Sequence, residues 1–594
     1  MKKHKFIFGL AAILLSVVLI GCGTPAPVET GKVLRIMYGE PSTLDPQQAN
    51  DTVSGRYVVE VYSGLLTLVP VANTVFDQYA EERELPVLTE GIVEKMPAVW
   101  QEWVRKNYFD KGVTVVLSSD IAEAIPEPVV NPDGTVSYTF KIRENARFHN
   151  GKKVTAEDFK FSFNRAANPI GPDAASPYTL PTCDLYLSDI VGVKDMMYGR
   201  GKVKEISGVE VLDEQTLRIT IDAMKTYFLW KLTYPTAFVI DKDKIVHPRT
   251  GEPLNIDWTS HPNGTGPFKL VEKNDKQIIL EKNKDFYLDP PLIDKVIFNL
   301  EGGEAEAFYR DGRIDMIGIG VEQLSFLDEL EGEYFEGPIF GVYYIGFNMG
   351  QPPFDDINLR KAFALSIDME TLIHKKFKDL MAPPQGILPP GIPGYREDYP
   401  GISYDPEKAR EFLRASRYWD EKTQSIVVNG EKLRIELTFS GQGPSPGDVT
   451  SAVLDMWRQN LGIEVYSQKP LGFKAFQDKL KLGNYMMSIH GWVADYPDPE
   501  DFLDLMFHSE KRVENRTTRY SNPEVDRLLN LARVEQNQAK RWELYQQAED
   551  IIMEELPWAP LLYDRQSIMV SPRVKGYYPL PMVIPFFRYI DIVI

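Results

Sequence analysis

Cysteine is almost absent: 594 residues contain two, Cys22 and Cys183. No disulfide framework can be built from so few. The seven histidines are scattered, with neither a His-Glu-x-x-His nor a Cys-x-x-Cys spacing, so no metal site and no cofactor is expected. Basic residues are also in short supply. The net charge is −19, which excludes the clustered Lys and Arg that nucleic-acid binding requires. Internal repeats and low-complexity segments are missing. Apolar runs of membrane-spanning length are missing too; the longest, Phe6–Ile20, falls short of the ~20 residues that a spanning helix needs.

That run follows Lys2, Lys3 and Lys5 and ends at Leu19-Ile20-Gly21-Cys22. It reads as a signal peptide over residues 1–21. Leu-Ile-Gly-Cys resembles a bacterial lipobox, which makes Cys22 the expected lipidation site; an incidental cysteine or a short anchor is the plainer alternative. Residues 22–31 then read as a flexible tether. Cys183, left alone, is expected to be a structural thiol.

At this length more than one domain or lobe is expected. Strand and helix signals alternate, the mark of a mixed α/β protein. After the turn Asn131-Pro132-Asp133-Gly134, the alternation of Val136, Tyr138, Phe140 and Ile142 with polar residues predicts a half-buried strand. Thr155 to Asp158 has capping-box character and opens a helix carrying Phe159, Phe163 and Ala166. Asp355-Asp356 and Asp405-Pro406 open two more helices. Leu433 to Phe439 reads as a strand, Val449 to Leu461 as a helix ended by Gly462, and Ile463 to Tyr466 as a strand.

Ordered fragments add a resemblance. They are Glu40–Pro46, Tyr62–Leu66, Tyr138–Arg165, Gly264–Phe268, Asn283–Tyr287, Gly312–Asp315, Gly346–Asp368 and Tyr404–Leu413. Together they resemble family-five solute-binding proteins of ABC importers, which include oligopeptide and dipeptide binders. The resemblance implies a type II periplasmic-binding-protein fold, with two main lobes around a ligand cleft plus an extra subdomain. Lobe I takes residues 32–66, 205–346 and 557–594, lobe II 67–204, and lobe III 347–556. The lobes join near Phe347 and Leu556. The link from Leu66 to Tyr138 is longer than the family's, with an insertion at about 75–120 bearing Trp100, Trp103 and Tyr108. It is an added surface helix, or a lid or partner contact.

The segment Gly491-Trp492-Val493-Ala494-Asp495-Tyr496 resembles the family's ligand grip. The resemblance gives Asp495 the peptide's α-ammonium and Gly491, Trp492, Val493 and Tyr496 the surrounding contacts. The local chemistry agrees: Asp498, Pro499, Glu500 and Asp501 satisfy a helix start, whereas Asp495 stands ahead of it and is not needed there. A loop carboxylate and a core tryptophan are the structural alternatives. Enteric oligopeptide binders carry basic residues near this segment, where this chain has Ile489 and His490, so the grip on a peptide carboxylate differs or the ligand has none.

A hydrolase hook, Gly443-Pro444-Ser445-Pro446-Gly447, fails chemically because Pro446 has no N–H for an oxyanion. The expectation is therefore a non-enzymatic, lipid-anchored, monomeric, extracytoplasmic protein that captures oligopeptides and passes them to importer permease subunits. A non-peptide solute (oligosaccharide, nickel complex, haem, opine) and a peptide-sensing role remain the alternatives.

Overall fold

A computed structural model describes residues 31–70, 115–168, 180–199, 201–247, 249–250, 254, 257–441, 446–511, 517–577 and 579–594. The expected signal peptide, Cys22, the expected tether up to residue 30, the stretch with Trp100, Trp103 and Tyr108, and residues 442–445 lie outside the described residues.

Ten strands form the main sheet. In chain order they are β1 (Val33–Met37), β2 (Phe268–Lys273), β3 (Gln277–Lys282), β4 (Lys295–Asn299) and β5 (Met316–Gly318). Then come β6 (Glu333–Phe347), β7 (Ile435–Phe439), β8 (Val465–Ser467), β9 (Met487–Val493) and β10 (Trp558–Val570). Their spatial order is β8-β7-β9-β6-β10-β5-β1-β4-β3-β2. Strands from both ends of the chain thus enter one sheet, with only β5 between β1 and β10.

The long antiparallel pair β6 and β10 runs through the middle and serves two cores. Because successive strand residues face opposite ways, Phe340, Val342 and Tyr344 pack into the larger core. Tyr343, Ile345 and Phe347 enter the smaller one, beneath the helices at Ile357–Leu365 and Pro446–Leu461. The ladder between β6 and β10 breaks register between Pro338 and Val342 and again between Tyr343 and Tyr344.

The local predictions hold at several points. Val136–Lys141 is a strand with Val136, Tyr138 and Phe140 inward and Thr139 and Lys141 outward. It is joined to Val129–Val130 and Thr216–Ile221 in a four-stranded sheet. Helix α1 (Thr52–Val61) is capped by Asp51, and α2 (Ala156–Ala167) by a complete Thr155/Asp158 capping box. Asp405 and Asp356 cap their helices as expected. The strand expected at Ile463 begins two residues later, at Val465.

Two of the ordered fragments meet other elements. The Arg165 guanidinium on α2 donates to Asp45 at 2.8 Å and to Gln47 at 2.6 Å, with all three side chains buried. Gly264 and Gly266 back onto the end of α1, where an added Cβ would come within 1.9 Å of the Val61 carbonyl and 2.5 Å of the Glu60 carbonyl, respectively. Cys183 is fully buried, and burial pushes its thiol up, which makes it inert. No helix among the described residues is long and apolar enough to cross a membrane.

Candidate functional site

Strand β9 is where sheet and cleft meet. It pairs with β6 along Met487–Val493 but with β7 only as far as Ile489. Over Gly491–Val493 its second edge is therefore unpaired with any strand among the described residues. An open edge is a template for an extended ligand backbone. Gly491 is close-set there: a Cβ would lie 3.1 Å from the Tyr343 ring.

The chain leaves β9 through Ala494–Pro499 before helix α3 (Glu500–Phe507). Every acid of that turn has its own task. Asp498 accepts two bonds of 2.7 Å from Arg541, and its Oδ1 also takes the Glu500 N–H at 2.9 Å. Glu500 is bonded by Lys231 at 2.7 Å and by the Tyr496 hydroxyl. These two acids are structural, as their place at a helix start predicts. Asp501 does more than start a helix: its Oδ2 receives the Asp495 backbone N–H at 3.0 Å and the Trp492 indole N–H at 3.4 Å.

Asp495, like Asp501, lacks a cation among the described residues, but unlike the other three acids it lines the cavity. It makes no ion pair with any described residue; its carboxylate receives the Tyr186 hydroxyl, whose ring stacks on Tyr234 at 3.7 Å. The surface it retains faces a cavity rather than bulk solvent, and this desolvation pushes its pKa up to about 7 despite the Tyr186 bond. Burial and the Asp495 charge together push Asp501 well up. His490, bonded to the Tyr344 hydroxyl at 3.4 Å, is driven down to about 4 by burial and is neutral at pH 7.

The cavity measures about 340 Å³. Gly491, Trp492, Val493 and Asp495 form one wall, Ala49–Thr52 from the start of α1 another, and Phe473, Phe476 and Gln477 a third. Asn50 donates to Gln477 across the rim at 3.2 Å. Four of the five predicted ligand contacts are thus brought together. Tyr496 is not: it is fully buried behind the wall, with its hydroxyl spent on Glu500 and its ring edge-on to Tyr186. Sequence reasoning missed Tyr186, Tyr234 and the second role of Asp501. Nothing local marks the tyrosines or the second role of Asp501.

Two cores joined by one long strand pair, with a cleft walled by segments far apart in sequence, define a bilobal binding protein. The chain belongs to the bacterial extracellular solute-binding proteins, family 5; the model of that family's middle region matches residues 116–513. It is accordingly a substrate-binding transport protein rather than an enzyme. It is 26% identical over 602 residues to the oligopeptide-binding protein OppA of Bacillus subtilis, covering 97% of each chain. It is 27% identical to heme-binding protein A of Haemophilus influenzae, covering 81% of this chain and 85% of that one. Among solved structures, Haemophilus influenzae OppA in complex with RPPGFSPFR superposes with a TM-score of 0.75 at 22% identity, covering 95% of this chain and all of that one.

Proposed function

We propose that this protein captures oligopeptides between its two lobes, with Asp495 holding the α-ammonium group, and delivers them to an ABC importer. One observation carries the proposal. Asp495 is a desolvated carboxylate on a cavity wall, without a cationic partner among the described residues, beside an unpaired strand edge. A buried carboxylate without a cation is unfavourable; a primary ammonium supplies the missing charge in a short, charge-assisted bond. The open edge over Gly491–Val493 offers backbone bonds that tolerate any side chain. Trp492, half-buried and oriented by Asp501, walls a side-chain pocket.

On this reading lobe I comprises residues 32–66, 205–346 and 557–594, lobe II 67–204 and lobe III 347–556. Closure is a hinge motion on β6 and β10. Lipid on Cys22 holds a monomer at the outer side of the membrane, and closure presents lobes I and III to the permease. The test is mass spectrometry of whatever the purified protein releases on denaturation. A ladder of short peptides supports the proposal; a single non-peptide species overturns it and leaves the transport role with another solute.

A further inference from the structure

The cavity contains a second carboxylate that the anchor does not use. Asp564 lies on β10 at the first register break, between the pairs Pro338↔Arg565 and Val342↔Tyr563. Opposite it, β6 has Ile339, Phe340 and Gly341, so the ladder is open at this point. Asp564 lines the main cavity and also an adjoining one of about 330 Å³, walled in part by Val321, Phe377, Leu380 and Met381. It therefore stands where the two spaces meet.

No side chain among the described residues pairs with it. Its carboxylate accepts only the backbone N–H of Arg565, and burial pushes it up to about 6, which leaves it ionised at neutral pH. The Arg565 side chain is engaged elsewhere, donating to the Asp379 carbonyl at 3.2 Å and lying 3.7 Å from Glu336. Tyrosines aside, the other ionisable groups lining the cleft are Asp51, Lys481, His490 and Asp495. Asp51 is committed to capping α1 and to the Ser42 hydroxyl at 2.7 Å. Lys481 is the one Lys or Arg among the lining residues. Three carboxylates thus line the ligand space without cations of their own among the described residues, and of these Asp51 is taken up by its cap and by Ser42, which leaves Asp495 and Asp564.

Their separation is set by the sheet. β9, β6 and β10 are adjacent and Asp495 follows the end of β9 by two residues, so the backbones at Asp495 and Asp564 stand at least two strand spacings apart, on the order of 10 Å or more. A peptide's α-ammonium and a basic side chain one or two residues further on span a comparable distance. The adjoining apolar walls suit a methylene stem carrying a charged head.

We propose that Asp564 is a second cation subsite, making the cleft selective for peptides with a lysine or arginine side chain near the amino end. This rests on Asp495 holding the α-ammonium. The experiment titrates the purified protein with Ala-Lys-Ala and with Ala-norleucine-Ala, which keeps the stem and removes the charge. The expected result is at least tenfold tighter binding of the lysine peptide, with the preference abolished in Asp564→Asn and the norleucine affinity unchanged. Equal affinities in the unaltered protein, or a preference that survives Asp564→Asn, overturn the proposal. Asp495→Ala separates the two assignments: it is expected to weaken both peptides alike, and unchanged binding there refutes the anchor, not the lysine preference. Failure of both peptides to bind the unaltered protein overturns both.

Discussion

Asp501 holds Asp495 by its backbone, accepting the Asp495 N–H at 3.0 Å while the same oxygen takes the Trp492 indole N–H at 3.4 Å. One buried acid therefore sets both the anchor and the wall beside it. Its second oxygen, Oδ1, is buried with no hydrogen-bond partner.

Asp501→Ala removes the acceptor of both N–H groups and is expected to lower peptide affinity at least tenfold, about 1.4 kcal/mol. Asp501→Asn retains an acceptor oxygen and is expected to recover most of the loss. Calorimetry on the two variants measures this. Equal losses in both would assign the effect to charge rather than to positioning.

Asp495 titrates at about 7 in the fold, against an ordinary value of 3.8. Between these values the folded chain keeps a proton that the unfolded chain has lost, so this group's contribution to stability declines as pH rises through the window. Asp495→Asn removes that decline. The variant should melt several degrees above the unaltered apo-protein at pH 8 and level with it near pH 4. Peptide affinity moves in the opposite sense, weakening below pH 7 as the carboxylate is protonated. Melting curves and titrations across that range check both signs.

Arg541 and Asp498 form a buried pair, with side chains 1% and 2% exposed. Arg541→Leu leaves Asp498 charged and alone behind the ligand turn, at an expected cost of about 3–5 kcal/mol. Arg541→Leu with Asp498→Asn is expected to restore a large part of it. Urea unfolding of the single and double variants measures the difference.

Gly264→Ala places a Cβ 1.9 Å from the Val61 carbonyl, a backbone atom that cannot swing away. The expected loss is at least the roughly 1–3 kcal/mol of an overpacked core. Gly302→Ala, where a Cβ meets nothing within 4 Å, is the control and is expected to be neutral. Thermal unfolding of the two variants tests the contrast.

Much of the fold was legible because its signals are local. The alternation at Val136–Phe140, the Thr155/Asp158 box and the Asp405 cap each depend on residues a few positions apart, and each formed as read. Gly491, Trp492, Val493 and Asp495, named through resemblance, line one cavity. Tyr496 was misjudged because adjacency in sequence does not decide which side of a turn a ring occupies; Glu500 draws its hydroxyl inward. Tyr186 and Asp564 were illegible for a different reason. Tyr186 reaches the cavity from about 300 residues before the ligand segment and Asp564 from about 70 after it, through sheet order and a register break that no single stretch encodes.

The most direct measurement is a titration of the unaltered protein with trialanine and with N-acetyl-trialanine, repeated on Asp495→Ala. If Asp495 holds the α-ammonium, acetylation weakens binding to the unaltered protein at least tenfold and changes little in the variant. Equal affinity of the free and acetylated peptides for the unaltered protein would contradict the assignment.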